Sequence, residues 1–106
     1  MTLLLMVLFW LAHGLFPPSP IHAAVQARAV EQDQAGALWH NVAPYPAAYG
    51  PLCGVGEIIA RGYGPAEALL AWQASPPHAA VINTGWTHAA AGRSGNVIVV
   101  AFVRDC

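Results

Sequence analysis

The segment 53–83 places the tightest constraint on how this chain folds. It contains a short run, 57–60, in which Glu57 is followed by three apolar residues. A turn rich in glycine separates this run from Pro65, which suits the first position of a helix. The spacing of apolar residues after Pro65 predicts a helix over 65–74. The segment therefore predicts an extended run, a turn and a helix in close succession.

The end of this helix is marked by a pair of prolines. Ser75 leaves the helix because a residue that precedes a proline avoids the α region. Pro76 and Pro77 then begin a second short helix that carries His78. The sequence therefore predicts a sharp change of direction with a histidine just after it.

Glu57 is the polar residue of this segment that most needs an explanation. A carboxylate joined to a short apolar run is costly to bury without a partner. We therefore expect Glu57 to contact a histidine, an arginine, backbone donors or a metal. Arg61 is close in sequence, but its side chain lies on a different face if the run is extended.

Size and charge exclude several classes of protein. The chain has 106 residues, which allows one domain at most. Its net charge is −1, and its four basic residues are scattered along the chain: Arg28, Arg61, Arg93 and Arg104. Because no basic patch can neutralise several phosphates, we expect no nucleic-acid partner.

The two cysteines, Cys53 and Cys106, leave two alternatives open. Neither belongs to a CxxC motif, which excludes a zinc site built from cysteines. In an exported protein they form one disulfide, which would stabilise the fold by roughly 4 kcal/mol in the chain-entropy model. The alternative is two unpaired thiols.

The N-terminal segment resembles an export leader. An apolar run at 3–16 is too short for a membrane span, which needs roughly 20 residues. Prolines at 17, 18 and 20 stop its helix, and Ala23 and Ala24 offer a cleavage site. We therefore predict a signal peptide at 1–24, a mature domain at 25–106 and a secreted or extracytoplasmic location.

Three alternatives to this cleavage remain. The leader stays as an uncleaved anchor, which would be the chain's one link to a membrane, or it is cut after Ala29, or the start site is misplaced. Positive charge near the start comes from the amino terminus alone, since residues 1 and 2 are Met and Thr.

The remaining segments predict a helix, a loop and two strands. Residues 25–36 favour a helix with Ala27, Val30 and Gln34 on one face, ending at Gly36. A loop rich in proline and aromatic residues then carries His40. Towards the C-terminus, 85–92 and 97–103 predict strands joined by a hairpin turn at 93–96, the second strand being central and covered on both faces.

The order of these motifs resembles the bacterial branch of the CAP superfamily, whose domain is also called the SCP domain. The resemblance rests on 56–60, on the helix at 65–72 with its tryptophan, and on the turn at 75–78. Upstream, 27–40 is similar to the family helix that leads to a loop histidine. The resemblance covers about residues 26–103. It implies an α+β fold, the α-β-α sandwich of the family, in a reduced version that lacks the first helix.

The resemblance also implies a site. His40, Glu57 and His78 match positions of the family's histidine and glutamate cluster. Two imidazoles and one carboxylate suit Zn²⁺ or another divalent cation, with a fourth position left for water. The alternative is a hydrogen-bonded His-Glu-His cluster without metal. His88 is a further candidate for the cleft, or else a histidine on the surface of the sheet.

Several residues depart from the family pattern. Ile58 replaces the usual asparagine after the glutamate, and Pro77 replaces the usual glycine. Ala79 and Val81 stand where arginine and asparagine are common. These departures, with the missing first helix, raise the hypothesis of a degenerate paralogue without function.

Three functions follow as hypotheses. We favour a secreted, non-enzymatic binding or interaction module whose partner is a lipid, a cell-wall component or another protein. The second is a metal-assisted or serine-type hydrolase, with Ser75, Glu57 and His78 as weak catalytic candidates. Against it, the sequence has neither a Gly-x-Ser-x-Gly nucleophile elbow nor a His-Glu-x-x-His motif. The third is the degenerate paralogue.

Overall fold

The computed structural model describes residues 2–14 and 19–106, which form five helices and three strands. In chain order these elements are α1 (Thr2–His13), α2 (Pro20–Ala35), α3 (Pro44–Tyr49), β1 (Gly54–Arg61), α4 (Pro65–Ala74), α5 (Pro76–Ile82), β2 (His88–Ser94) and β3 (Val97–Arg104).

The strands form one antiparallel sheet in the order β1-β3-β2. The central strand is β3, and its residues 97–103 are all buried, as the continuous apolar run predicted. Gly95, with φ of +56°, and Asn96 form the turn between β2 and β3. Glycine adopts this left-handed conformation without strain, so the chain reverses within two residues.

Helices cover both faces of this sheet. On one face, α1, α4 and α5 pack over a core whose members from β3 are Ile98, Val100 and Phe102. On the other face, α2 and α3 pack over Val97, Val99, Ala101 and Val103. Because side chains alternate along a strand, a continuous apolar strand serves both cores at once. The predicted α-β-α sandwich is confirmed.

α2 begins earlier than the sequence predicted and buries a different face. Ser19 caps it by accepting a hydrogen bond from the Ile21 backbone N–H, and Gly36 ends it in the left-handed conformation. The predicted apolar face is wrong, since Ala27 and Gln34 are exposed. The face that packs on the sheet consists of Ile21, Val25, Arg28, Ala29 and Gln32.

α2 lies unusually close to β2, and a glycine permits this approach. A Cβ atom at Gly92 would lie 2.7 Å from the Gln26 Cα and 2.8 Å from the Val25 carbonyl oxygen. The Gln26 side chain donates to the Arg93 carbonyl (2.8 Å) and accepts from the Arg93 N–H (2.9 Å). These contacts fix α2 on the sheet.

α1 is formed by residues that the sequence assigned to a leader. Its buried side chains, Leu4, Val7, Leu8 and Leu11, belong to the core shared with α4 and α5. Ala23 and Ala24, the predicted cleavage site, lie within α2. The helix stop predicted at residues 17 and 18 lies outside the described residues. Cleavage of residues 1–24 stays a prediction.

Within the described ranges, α1 and the other helices are too short or too polar to span a bilayer.

α4 has the bounds that the sequence predicted, but only part of its predicted apolar face is buried. Leu70, expected on the apolar face of α4, is 67% exposed. Trp72, which the sequence placed on the same face, is buried, and its indole N–H donates to the Ile59 carbonyl of β1 (3.1 Å). This contact attaches α4 to the outer edge of the sheet.

Cys53 and Cys106 form a disulfide, so the alternative of two free thiols is wrong. Cys53 precedes β1 and Cys106 follows β3, the strand with which β1 pairs. The Cys53 N–H also donates to the Arg104 carbonyl (2.9 Å). The bridge therefore joins two segments that the sheet already holds side by side.

Candidate functional site

Glu57 lies in β1 on the face that α2 covers. It is opposite Ala101 of β3, whose side chain belongs to the core beneath α2. The Glu57 side chain is 1% exposed. The prediction that this carboxylate needs a partner is confirmed, because five donors surround it.

Arg28 is the principal partner of Glu57. Its Nε donates to Oε2 and its Nη2 to Oε1, both at 3.2 Å. The Arg28 side chain is also 1% exposed, so the ion pair is fully buried. A guanidinium that binds both oxygens of a carboxylate holds it in one orientation.

Arg28 also holds the loop that follows α2. Its Nη2 donates to the Trp39 carbonyl, and its guanidinium lies over the Trp39 ring, 5.2 Å from the centroid. The Gln32 side chain accepts a hydrogen bond from the Trp39 N–H (2.9 Å). On its solvent side, Arg28 contacts Glu31 at 3.4 Å.

Three further groups donate to Glu57. The Tyr45 hydroxyl, from α3, donates to Oε2, and the Asn41 backbone N–H donates to Oε1 at 3.3 Å. His40 Nδ1 lies 3.1 Å from Oε1. Since an ionised carboxylate only accepts hydrogen bonds, Nδ1 of His40 carries the proton. The His40 side chain is 60% exposed and forms the solvent side of the cluster.

The donors determine how the cluster ionises. Burial alone would raise the pKa of Glu57, but the hydrogen bonds from Arg28, Tyr45 and His40 and the charge of Arg28 outweigh burial and lower it. Burial would lower the pKa of Arg28, but Glu57 raises it above its usual value. Burial, together with the hydrogen bond to Glu57 and its charge, raises the pKa of Tyr45. The cluster is therefore an ionised pair with a neutral tyrosine.

The structure does not bring His78 into this cluster. His78 lies in α5, and its Nδ1 shares a hydrogen bond with the Ser75 hydroxyl (2.8 Å). In the part of the chain that the structure describes, no hydrogen bond or ion pair joins His78 to His40 or Glu57. Of the three residues predicted from the resemblance, His40 and Glu57 meet and His78 lies apart.

His78 instead lines a cavity of about 360 Å³ beside the edge strand β1, which we call the β1-edge cavity. Its apolar wall includes Leu38, Ile59, Ala71 and Trp72, and its polar groups come from Arg61, Tyr63, Ser75 and His78. Among the described residues no carboxylate lines it. Ile59 lies two residues after Glu57 in β1, so the cavity is next to the cluster along the strand.

Arg61 was the arginine considered as a partner of Glu57, and it has another role. Its two terminal nitrogens donate to the carbonyls of Gly36 (3.2 Å) and Gln32 (3.3 Å) at the end of α2. Its buried Nε has no hydrogen-bond partner among the described residues. No described carboxylate pairs with it.

His88 lies away from the cluster, at the start of β2. Because β3 separates β1 from β2, His88 is at the opposite edge of the sheet from Glu57. Its Nε2 is 3.1 Å from an Asp105 oxygen, and its ring is 5.8 Å from that of Tyr49. The geometry corresponds to a histidine on the surface of the sheet.

These donors do not fit a resident metal ion. A carboxylate offers about four lone-pair positions, and five protein donors already contact Glu57. Residues 2–14 and 19–106 contain no group of three His, Cys, Asp or Glu side chains placed to hold a metal.

Sequence reasoning missed two members of the cluster, Arg28 and Tyr45. For Arg28 a signal existed, because Ile21, Val25, Arg28 and Gln32 recur at helical spacing. That pattern is visible only if the helix begins before residue 25. Tyr45 lies between two prolines in a stretch that resembles a loop, and no local sequence pattern predicts that it contacts β1.

No protein-family model and no curated protein matches this sequence. Two solved structures do resemble the fold. An extracellular protein containing an SCP domain from Bacillus anthracis superposes with a TM-score of 0.75 over 94% of this chain, at 16% identity. An outer surface protein from Borrelia burgdorferi superposes with a TM-score of 0.71 over 82% of this chain, at 19% identity.

The two matches differ in how much of each protein is covered. This chain spans 38% of the Bacillus protein and 74% of the Borrelia protein. At these identities the likeness concerns the fold. With the two-sided packing of its three-stranded sheet, this chain has the fold of the SCP-domain protein that it superposes on.

Proposed function

We propose that this protein is an extracytoplasmic SCP-like binding module whose ligand occupies the β1-edge cavity. The observation that carries this proposal is the lining of the cavity: an apolar wall with Arg61, Tyr63, Ser75 and His78 at its polar end. Ligand pockets typically combine a mainly apolar lining with a few polar groups that orient the ligand. A cavity without a carboxylate suits an uncharged or anionic ligand with an apolar part.

Three observations support the location. The Cys53–Cys106 disulfide suits an oxidising compartment. The two structural neighbours are described as extracellular and outer surface proteins. The apolar N-terminal segment is typical of exported chains.

The partner classes proposed from the sequence are a lipid, a cell-wall component and another protein. A cavity of about 360 Å³ admits a small molecule or the end of a chain rather than a protein surface. We therefore put a lipid or a cell-wall fragment before a protein partner. No metal is part of this proposal.

Tryptophan fluorescence tests the proposal, because Trp72 lines the cavity. The full chain is titrated with soluble peptidoglycan fragments and with short-chain lipids. We expect one of these ligand classes to cause a saturable change in fluorescence. Ala71→Leu narrows the cavity, so we expect this variant to bind the same ligand at least about 10-fold more weakly than the wild type. Leu70→Ala is the matched control, since it alters the neighbouring exposed residue of α4. Equal binding by Ala71→Leu and the wild type contradicts the proposed site.

A serine-type hydrolase is the second candidate, favoured by the 2.8 Å hydrogen bond between Ser75 and His78. A nucleophile within reach of a base is the minimum for this chemistry. Activated esters such as p-nitrophenyl acetate test it with the wild type, Ser75→Ala and His78→Ala. Turnover that both substitutions abolish supports a hydrolase. A background rate shared by all three proteins excludes it for such esters.

A further inference from the structure

We propose that Arg28 supplies a built-in cation to the Glu57–His40 cluster, so that the cluster forms and persists without a metal ion. The resemblance allows a divalent cation in this cleft, with a metal-free hydrogen-bonded cluster as the alternative. The structure brings His40 and Glu57 together as expected, but the positive charge against the carboxylate is the Arg28 guanidinium. This inference is independent of the ligand proposed for the β1-edge cavity.

The first argument is the occupation of the carboxylate. Oε1 of Glu57 receives Arg28 Nη2, His40 Nδ1 and the Asn41 N–H, and Oε2 receives Arg28 Nε and the Tyr45 hydroxyl. Five donors meet about four lone-pair positions. A metal ion would have to displace at least one of these donors, and it would then lie beside the guanidinium charge.

The second argument is that Arg28 joins the elements that a metal would join. Its guanidinium contacts β1 through Glu57 and the 38–41 loop through the Trp39 carbonyl, while its backbone belongs to α2. Such cross-linking of a helix, a loop and a strand is what a structural metal contributes to a small domain. The side chain is 1% exposed, so the arrangement is part of the interior.

The third argument is the state of the remaining ligands. His40 uses Nδ1 for Glu57, which leaves only Nε2, on a ring that is 60% exposed. His78 is hydrogen-bonded to Ser75. In the parts of the chain that the structure describes, no third acidic or histidine side chain is placed to bind a metal together with His40 and Glu57.

A zinc titration of the folded full chain tests the inference. Calorimetry compares the wild type with Glu57→Gln and His40→Ala. We expect all three to respond alike, because any heat then comes from surface histidines, and we expect EDTA to leave the melting temperature of the wild type unchanged. Binding of about one equivalent by the wild type, weakened about 10-fold or more in both variants, overturns the inference.

Removal of the guanidinium provides the second arm. In Arg28→Ala the Glu57 oxygens lose their cation and two of their five donors, which frees Glu57 to bind Zn²⁺ together with His40, with water as the remaining ligands. We therefore expect added Zn²⁺ to raise the melting temperature of this variant. The double variant Arg28→Ala/Glu57→Gln lacks the carboxylate and should not respond. If Arg28→Ala is unfolded, recovery of helical circular dichroism during the titration replaces the melting temperature. If Zn²⁺ raises the melting temperature of Arg28→Ala no more than that of the double variant, the proposal that Arg28 takes the place of a metal ion is contradicted.

Discussion

The Arg28 guanidinium and the Glu57 carboxylate form a two-point ion pair at 3.2 Å, in which each side chain is 1% exposed. Arg28 belongs to α2 and Glu57 to β1, so the pair crosses from a helix layer to the sheet. The pair stabilises the fold only when both partners are present, because a single charge left in the protein interior has no counter-charge.

Removal of one partner should therefore be far more harmful than loss of a surface pair. We expect Arg28→Ala to lower the free energy of unfolding by about 3–5 kcal/mol, since it leaves an unpaired buried carboxylate. Glu31→Ala removes only the solvent-side contact of Arg28 and should cost about 1 kcal/mol or less. Chemical denaturation of both variants measures the difference, and equal losses would contradict the account of the cluster.

Acid should weaken the fold through Glu57. The pKa of Glu57 is lower in the folded protein than the value of about 4.3 usual for an unfolded chain. The unfolded state therefore takes up this proton first as the pH falls. The stability that ionised Glu57 contributes is therefore fully present above the unfolded-state pKa of about 4.3. It is lost as the pH falls towards the lower pKa of the folded state.

Melting temperatures between neutral and strongly acidic pH check this dependence. We expect the difference between the wild type and Glu57→Gln to be largest above about pH 4.3 and to shrink below it. Parallel curves would mean that Glu57 ionises alike in the folded and unfolded states.

The disulfide should contribute a few kcal/mol. Its cysteines are 53 residues apart in sequence, and closing a loop of that length stabilises a fold by about 4 kcal/mol in the chain-entropy model. We expect Cys53→Ser/Cys106→Ser to lose about that amount. A reductant should lower the melting temperature of the wild type and leave the double variant unchanged. An insensitive wild type would show that the bridge contributes little.

The N-terminal boundary of the stable domain can be found by truncation. A chain that starts at residue 19 keeps the Ser19 cap and the buried Ile21, whereas a chain that starts at residue 25 loses both. We expect the shorter chain to be less stable by about 3 kcal/mol or more. Denaturant unfolding of the two chains measures this difference.

The full chain is the reference for both truncations, because it also keeps α1 over the sheet. Equal stability of the two shortened chains would show that the first turn of α2 adds nothing to the core. A non-cooperative transition of the full chain would instead favour the degenerate paralogue.

The sequence predicted the central strand and the helix at 65–74 because local signals agree there. A continuous apolar run predicted the central strand, and Pro65 and Pro76 bounded α4. The strand predicted at 85–92 lies instead at His88–Ser94, so the turn is shorter than the predicted 93–96.

α2 was harder, since its first turn lies in a segment that also reads as a leader. Leaving out Ile21 shifted the inferred face, and Arg28 was therefore not seen as a buried residue.

The site was predictable only in part, for a physical reason. A carboxylate in an apolar strand needs a partner, which holds for any fold and led to Glu57 correctly. Which partners arrive depends on how α2 and α3 lie across the sheet, and Arg28 and Tyr45 reach Glu57 only through that packing. The hydrogen bond between Ser75 and His78 is local, since the two residues are three apart at the start of α5. The direction of α5, which motif spacing does not determine, decides instead whether His78 reaches Glu57.

The central position of β3 has a practical consequence for producing this protein. Residues 97–103 are uncharged, free of proline and rich in β-branched side chains, a composition that aggregates when it is exposed. In the folded chain β1 and β2 pair with both of its edges, and helices cover both of its faces. Expression in a reducing cytoplasm, where Cys53 and Cys106 stay unlinked, should therefore give mainly inclusion bodies, and export to an oxidising compartment should give soluble protein.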